Sequence, residues 1–230
     1  MIITIHQPEY LPWLGFFDRI QKSDQLVLLD DVGYQKNGFI NRNKIKTAKG
    51  WQWITVPVLG RSPNQKINEV LIDNNQDWKS GHWKAMDFNY SKAPYFKKYA
   101  DFFNELFKKE WLKIADLDAY LIKNIASFLG FKTKIIASSS LKTAGLKTER
   151  LVNICKEFDA DTYLSGPGGR NYMDLEQFEK ENIKVVFQDF NHPGYKQQFA
   201  SQGFLPNLSV IDLLFNCGEK SRDIISGNSQ

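Results

Sequence analysis

The sequence predicts an α/β fold: a doubly wound parallel sheet of about five strands, with a helical lobe inserted in it or packed against it. Three observations carry this. An apolar run at 2–6, a helical pattern at 13–22 and a second apolar run at 25–30 make a βαβ unit within the first thirty residues. Such a unit implies parallel pairing and a right-handed crossover. Strand and helix signals alternate again over 134–187. Between these stretches, residues 76–129 carry helical periodicity throughout.

The first strand, Ile2-Ile3-Thr4-Ile5-His6, ends on one of only three histidines. Leu14, Phe17 and Ile20 lie at helical spacing in the helix that follows. Gln25 to Asp30 is a second buried strand, ending in the acidic pair Asp30-Asp31. Residues 32–50 read as a basic loop, in which Lys36, Arg42, Lys44, Lys46 and Lys49 have no acid among them. Trp51–Val58 alternates as a strand, with Pro57 pointing to an edge or an end, and a short strand is expected near 67–72.

Three helices are expected around Trp78–Asn89, Tyr95–Lys108 and Ala115–Leu129, with Pro94 dividing the first two and Gly130 stopping the third. Lys134–Ala137 is a strand, and Thr148 is a candidate cap for the helix carrying Leu151, Ile154 and Cys155. Thr162–Leu164 is a strand that runs into Ser165-Gly166-Pro167-Gly168-Gly169. Asp174, with Gln177 three residues on, caps a helix to about Lys180. Ile183–Phe187 is the last strand, Ser209 opens a C-terminal helix, and 226–230 is a frayed tail. The organisation is one domain, 1–230: sheet core at 1–75 and 130–190, helical lobe at 76–129, C-terminal helical segment at 191–230.

The formal net charge of +4 is too small to single out a nucleic-acid binder, so that class is disfavoured. Cys155 and Cys217 match no metal or redox spacing and read as free thiols in a reducing compartment. No window approaches the roughly 18 apolar residues of a membrane span. The opening residues run straight into a strand without basic leader or cleavage site, so a cytoplasmic location is expected.

In a doubly wound sheet the loops after the strands share one edge, where ligands bind. That edge gathers His6, Gln7 and Tyr10 as catalytic candidates. His6 titrates near neutrality and suits a general base or a phosphate contact; the plainer reading is a strand-end histidine bonded to a neighbouring carbonyl. Ser165, Gly166, Gly168, Gly169, Arg170, Asn171 and Tyr172 follow a strand, and glycines let backbone amides approach a phosphate. The alternative there is an ordinary tight turn. Asp30 and Asp31 are candidate Mg²⁺ ligands, or else a cap or a solvated turn. Lys36, Asn41, Arg42, Lys44, Gln188, His192 and Tyr195 are candidates for an anionic second substrate. The aromatic side chains of 78–107 read as lobe core, and His82 among them receives no role. No GxSxG, HExxH, zinc or kinase motif is present, and neither cysteine has a base nearby in sequence.

The segment His6-Gln7-Pro8-Glu9-Tyr10-Leu11-Pro12-Trp13-Leu14-Gly15-Phe16-Phe17 resembles the opening motif of the WbqC-like proteins. Tyr163 to Tyr172 resembles their second motif, and Gln188–Tyr195 with Leu208–Gly218 their C-terminal block. The resemblance spans nearly the full chain. It implies a bacterial protein associated with O-antigen or other surface-polysaccharide (lipopolysaccharide) gene clusters. A weaker likeness is to the HxGH nucleotidyltransferases, whose helix opens on HxGH where this chain has Trp13-Leu14-Gly15-Phe16. It suggests a related HUP-type sheet, with the glycine kept and both imidazoles replaced.

Together these imply a transferase acting on a nucleotide-linked sugar or amino sugar, by acyl or aminoacyl transfer through an adenylated acid, with ATP or another nucleotide and Mg²⁺. The alternative is a non-catalytic protein that binds a nucleotide sugar or scaffolds glycan assembly. A third reading, nucleic-acid binding through 36–49, rests on five basic residues. The partner expected is a small-molecule substrate, and a homodimer is left open.

Overall fold

The computed structural model describes residues 1–60 and 64–227. The chain opens with β1 (Ile2–His6), α1 (Leu14–Gln21) and β2 (Gln25–Leu28). A hairpin of β3 (Arg42–Thr47) and β4 (Gly50–Thr55) follows. The helical lobe is α2 (Trp78–Tyr90), α3 (Phe96–Lys108) and α4 (Ile114–Phe128). Then come β5 (Lys134–Ala137), α5 (Lys147–Glu157), β6 (Thr162–Ser165), α6 (Leu175–Lys180) and β7 (Lys184–Phe187), and the chain closes with α7 (Val210–Cys217) and α8 (Ser221–Ile225).

Five strands form one parallel sheet in the order β5-β2-β1-β6-β7. Alternation along the strands feeds two cores, because successive side chains leave opposite faces of a strand. Leu26 and Leu28 join the larger core with α1, the lobe helices, α7 and α8. Ile3, Ile5 and Val27 join the smaller core with Leu151, Ile154 and Cys155 of α5 and Phe178 of α6. Helices therefore cover both faces, as the doubly wound expectation requires. The lobe aromatics Trp78, Phe96, Tyr99, Phe103 and Phe107 are buried core.

Four details differ from the sequence reading. Residues 42–47 are a strand, not loop: β3 pairs antiparallel with β4 from Arg42–Thr55 to Thr47–Gly50. Its alternation is masked in sequence because one face is made of Arg42, Lys44 and Lys46, while Asn43 and Ile45 on the other are buried. The strand expected at 67–72 is instead a short 3-10 turn, Ile67–Glu69, followed by isolated bridges at Leu71 and Ile72. Thr148 lies inside α5 rather than capping it, and its hydroxyl accepts from the Asp174 amide at 3.1 Å. In the tail, Ser226 donates to the Gln21 side chain at 3.0 Å, and residues 228–230 lie outside the described residues. The caps at Asp174 and Ser209 form as expected, accepting from the amides of Glu176 and Ile211.

Candidate functional site

The sheet order reverses between β1 and β6, since the chain winds outward to β2 and β5 and then returns to β6 and β7. Open α/β sheets bind ligands beyond the strand ends at such a reversal. The two strands pair only at Ile2–Thr162 and Ile3–Tyr163, whereas β1–β2 and β6–β7 each pair over four positions. Beyond that the Thr4 hydroxyl donates to the Leu164 carbonyl at 2.8 Å, and the strand ends part. They open a cleft of about 320 Å³ lined by His6, Trp13, Arg19, Ser165, Gly166–Gly169, Tyr172 and Gln188.

Arg19 is the most telling residue in it. It sits in the last turn of α1, is only 5% exposed and lines the cleft. Its Nε is buried without a partner, and the guanidinium makes no hydrogen bond or ion pair among the described residues. Burial pushes its pKa down, and this outweighs the opposing effect of the acidic groups around it, Tyr163, Glu9, Tyr172 and Asp18. A buried, unpaired guanidinium is costly, and such groups are ordinarily paired. Its planar fork of donors matches a phosphate or a carboxylate.

His6 lies beside it. Its Nδ1 is 2.8 Å from the Gln7 carbonyl, which can only accept, so Nδ1 carries the proton and Nε2 presents a lone pair. The ring stands edge-on to Phe16 at 5.1 Å. Burial first, and the Arg19 charge second, hold its pKa down at about 3. The imidazole is therefore neutral and a weak base as the site stands. Glu9 approaches His6 Nδ1 at 3.8 Å, is 9% exposed, and leaves Oε2 buried without a partner. Burial raises the Glu9 carboxyl to about 7, against the opposing pull of Arg19.

The opposite wall is the glycine-rich loop, which continues into a 3-10 turn, Pro167–Asn171. A Cβ on Gly169 would stand 2.2 Å from Ser165 Oγ and 2.9 Å from Met173 Cε, so that position admits only glycine without displacement. A Cβ on Gly166 would come within 3.3 Å of Arg19 Nη1, which puts the guanidinium directly under the loop backbone. Gly168 faces open space. Gln188 forms the floor, donating to the Gly15 carbonyl at 2.8 Å and to Asp18 Oδ2 at 2.7 Å, and so fixes the start of α1. Trp13 folds its indole over Gly15, where a Cβ would meet the ring at 2.3 Å.

Seven of the nineteen residues singled out from sequence thus line one cleft, where the strand-end argument puts them: His6, Ser165, Gly166, Gly168, Gly169 and Gln188, with Tyr172 at the rim. Others are elsewhere. Tyr10 is fully buried, its hydroxyl 2.8 Å from Nδ1 of His82, so it belongs to the core and not to the cleft. The loop carries it there by turning at Leu11, which has a φ of 46°. Gln7 contributes its carbonyl to His6 and does not line the cleft. Arg170 is exposed and stacks on Phe187 at 4.2 Å; Asn171 is exposed beside it.

Asp30 and Asp31 do not fit a metal pair. Asp30 accepts from Ser138 Oγ at 3.1 Å and from the Ser139 amide and hydroxyl at 2.9 and 2.6 Å. Asp31 accepts from Ser138 and pairs with Arg150 at 2.7 Å. Their oxygens are engaged, and no group of three or more candidate ligands occurs among the described residues. Asn41 is buried, accepting from Tyr34 and donating to the Val56 carbonyl. Arg42 and Lys44 lie on the hairpin, and Lys36 lies exposed in the loop before it. Tyr195 and Phe204 line a separate hollow beside Lys46, His192 packs against Phe204, and Tyr195 donates to Asp212 Oδ2 at 2.9 Å.

Sequence reasoning missed Arg19 and gave Glu9 no role. The signal was present: Arg19 sits amid Phe16, Phe17 and Ile20, with Gly15 and Ser23 four residues away on either side and hence no carboxylate at helical spacing to neutralise it.

Fold and site together define an open, doubly wound α/β protein with a cleft at its topological switch point that buries an arginine under a glycine-rich loop. The profile of the WbqC-like protein family matches residues 7–224. A Mycobacterium tuberculosis (strain ATCC 25618 / H37Rv) protein described as "Uncharacterized protein Rv1507c" is 40% identical over 226 residues, covering 97% of this chain and 96% of its own. The chain belongs to the WbqC-like family. No solved structure matches. No helix among the described residues is long and apolar enough to cross a membrane.

Proposed function

We propose that the chain is a transferase-like enzyme of bacterial surface-polysaccharide biosynthesis that acts on a nucleotide-linked sugar. Its chemistry would be acyl or aminoacyl transfer through an adenylated intermediate. The observation that supports this most is Arg19, a buried guanidinium without a partner beneath a glycine-rich loop at the switch point. Phosphate oxygens supply the missing acceptors, and the open backbone at Gly168 admits them closely. Binding an anion at Arg19 neutralises the charge that helps depress His6. His6 Nε2 then moves toward a working range and accepts the proton of an attacking hydroxyl or amine. Asp30 and Asp31, engaged by Ser138, Ser139 and Arg150, take no part in holding Mg²⁺ in this reading.

A non-catalytic nucleotide-sugar binder is the second reading. Of the positions matching HxGH, Trp13 lines the cleft rim and Phe16 is buried against His6, so neither offers an imidazole to a transition state. A thermal-shift screen of nucleotides and nucleotide sugars, with and without Mg²⁺, finds the ligand by mass action. Turnover of that ligand that vanishes in His6→Ala at nearly unchanged melting temperature supports the enzyme. Unaltered turnover in His6→Ala removes the assigned role, and tight binding without any product favours the binder.

A further inference from the structure

We propose that the exposed face of the β3–β4 hairpin is a docking surface for an anionic lipid bilayer. This stands apart from the reading of the switch-point cleft. Pairing of Lys44 with Trp53 and of Arg42 with Thr55 sets these side chains on one face, together with Trp51. The opposite face is consumed, because Asn43 donates to the Tyr10 and Leu11 carbonyls and Ile45 and Ile54 are buried. At the far end of the cation-bearing face Lys46 is buried against Gln197 and Gly203, while Arg42, Lys44 and Trp53 are half-buried and Trp51 is exposed. Lys49 lies exposed in the turn. No aspartate or glutamate occurs from residue 32 to residue 68, so nothing local in sequence offsets this charge.

The rings and cations are arranged for a charged interface. The Arg42 guanidinium lies 4.3 Å over Trp53, and its position is fixed by donation to the Gly38 and Asn37 carbonyls. Lys44 Nζ lies 4.8 Å over Trp51 and 5.3 Å over Trp53. Trp51 and Trp53 stand at 83° to one another. Each indole thus already carries a cation on a face, and the two do not form a parallel staircase, which disfavours stacking of bases on them. Phe39, 6.0 Å from Trp53, is 43% exposed, and Trp51 is 48% exposed. An exposed phenyl ring gains little from a phosphodiester backbone, but it does gain from leaving water at the headgroup–acyl boundary. Indoles favour that boundary, and lysine and arginine meet anionic headgroups there.

The test is flotation of the full chain with vesicles of phosphatidylglycerol and phosphatidylcholine, against vesicles of phosphatidylcholine alone, at low and high salt. The protein is expected to float with the anionic vesicles only, and to be released by salt. Lys44→Glu is expected to lower the partition coefficient roughly thirtyfold, since it removes one cation and adds an anion at the surface. Trp51→Ala also weakens it, while Trp51→Phe retains most of it; circular dichroism checks that each variant is folded. No flotation, equal flotation on phosphatidylcholine, or insensitivity to both Lys44→Glu and Trp51→Ala overturns the proposal. Retention of a single-stranded oligonucleotide, lost in Lys44→Glu, without vesicle binding overturns it in favour of nucleic acid.

Discussion

Replacing Arg19 with methionine should make this protein more stable while removing its ligand binding. The guanidinium is 5% exposed and has no acceptor, so the folded state carries its desolvation without hydrogen-bond return. Replacing even paired buried charges by apolar side chains of similar volume is often stabilising by about 1–4 kcal/mol, and Arg19 has no hydrogen-bonded acceptor to lose. Attraction to Glu9 and Asp18 is lost in the exchange, which favours the lower part of that range. For a chain of this length each kcal/mol moves Tm by about 2–4 °C, so Arg19→Met should raise it by about 2–10 °C. The gain should be larger at pH 6 than at pH 8, because Glu9, raised to about 7, is mostly neutral at pH 6 and compensates Arg19 less there. Thermal and urea denaturation at both pH values measure this. A lower Tm for Arg19→Met would mean that Arg19 is already paired within the fold, and the reasoning that makes it a ligand group would fail.

Glu9→Gln probes the same cluster through pH. The folded carboxyl titrates at about 7 against an ordinary 4.5, so the native state binds more protons and Glu9 costs stability progressively as pH rises from about 4.5 to about 7. The stability gap between Glu9→Gln and wild type should widen over that window, by at most about 3 kcal/mol; His6, depressed to about 3, acts in the opposite sense between about 3 and 6.5 in both proteins and drops out of the difference. A flat difference curve refutes the raised Glu9. Tyr195→Phe removes one of two phenol donors to the buried Asp212 and should cost about 1–3 kcal/mol in denaturant unfolding; an unchanged unfolding curve would contradict that donor role. Gly169→Ala places a methyl 2.2 Å from Ser165 Oγ and should cost about 1–3 kcal/mol, whereas Gly168→Ala, with nothing within 4 Å, should leave Tm nearly unchanged and weaken only ligand binding. Equal Tm losses in the two alanine variants would contradict the loop geometry.

The strand and helix order was legible in sequence because long apolar periodicities are local: the 134–137 strand and the three lobe helices fall within a residue or so of their observed limits. The hairpin was not, since a strand with Arg42, Lys44 and Lys46 along one face shows no apolar alternation until the burial of Asn43 and Ile45 is known. His6 and the Ser165–Gly169 loop were legible because strand ends share an edge in this architecture. Tyr10 was misplaced because one left-handed residue, Leu11, redirects its loop into the core. Asp30 and Asp31 look like a free acidic pair until Ser138, Ser139 and Arg150, more than a hundred residues on, are seen to engage them. Arg19 reads locally as a basic residue in a helix's last turn, where it complements the dipole; that it lacks a partner is a tertiary fact.

In the proposed function, Arg19 is the group on which the switch-point cleft holds a phosphate-bearing ligand. Isothermal titration of wild type, Arg19→Lys and Arg19→Met with a series of UDP- and ADP-sugars tests it directly. Wild type is expected to bind, Arg19→Lys to bind more weakly because the bidentate fork is lost, and the still-folded Arg19→Met to lose at least about tenfold. Equal affinity in all three proteins, or no binding of any member of the series to wild type, would contradict it.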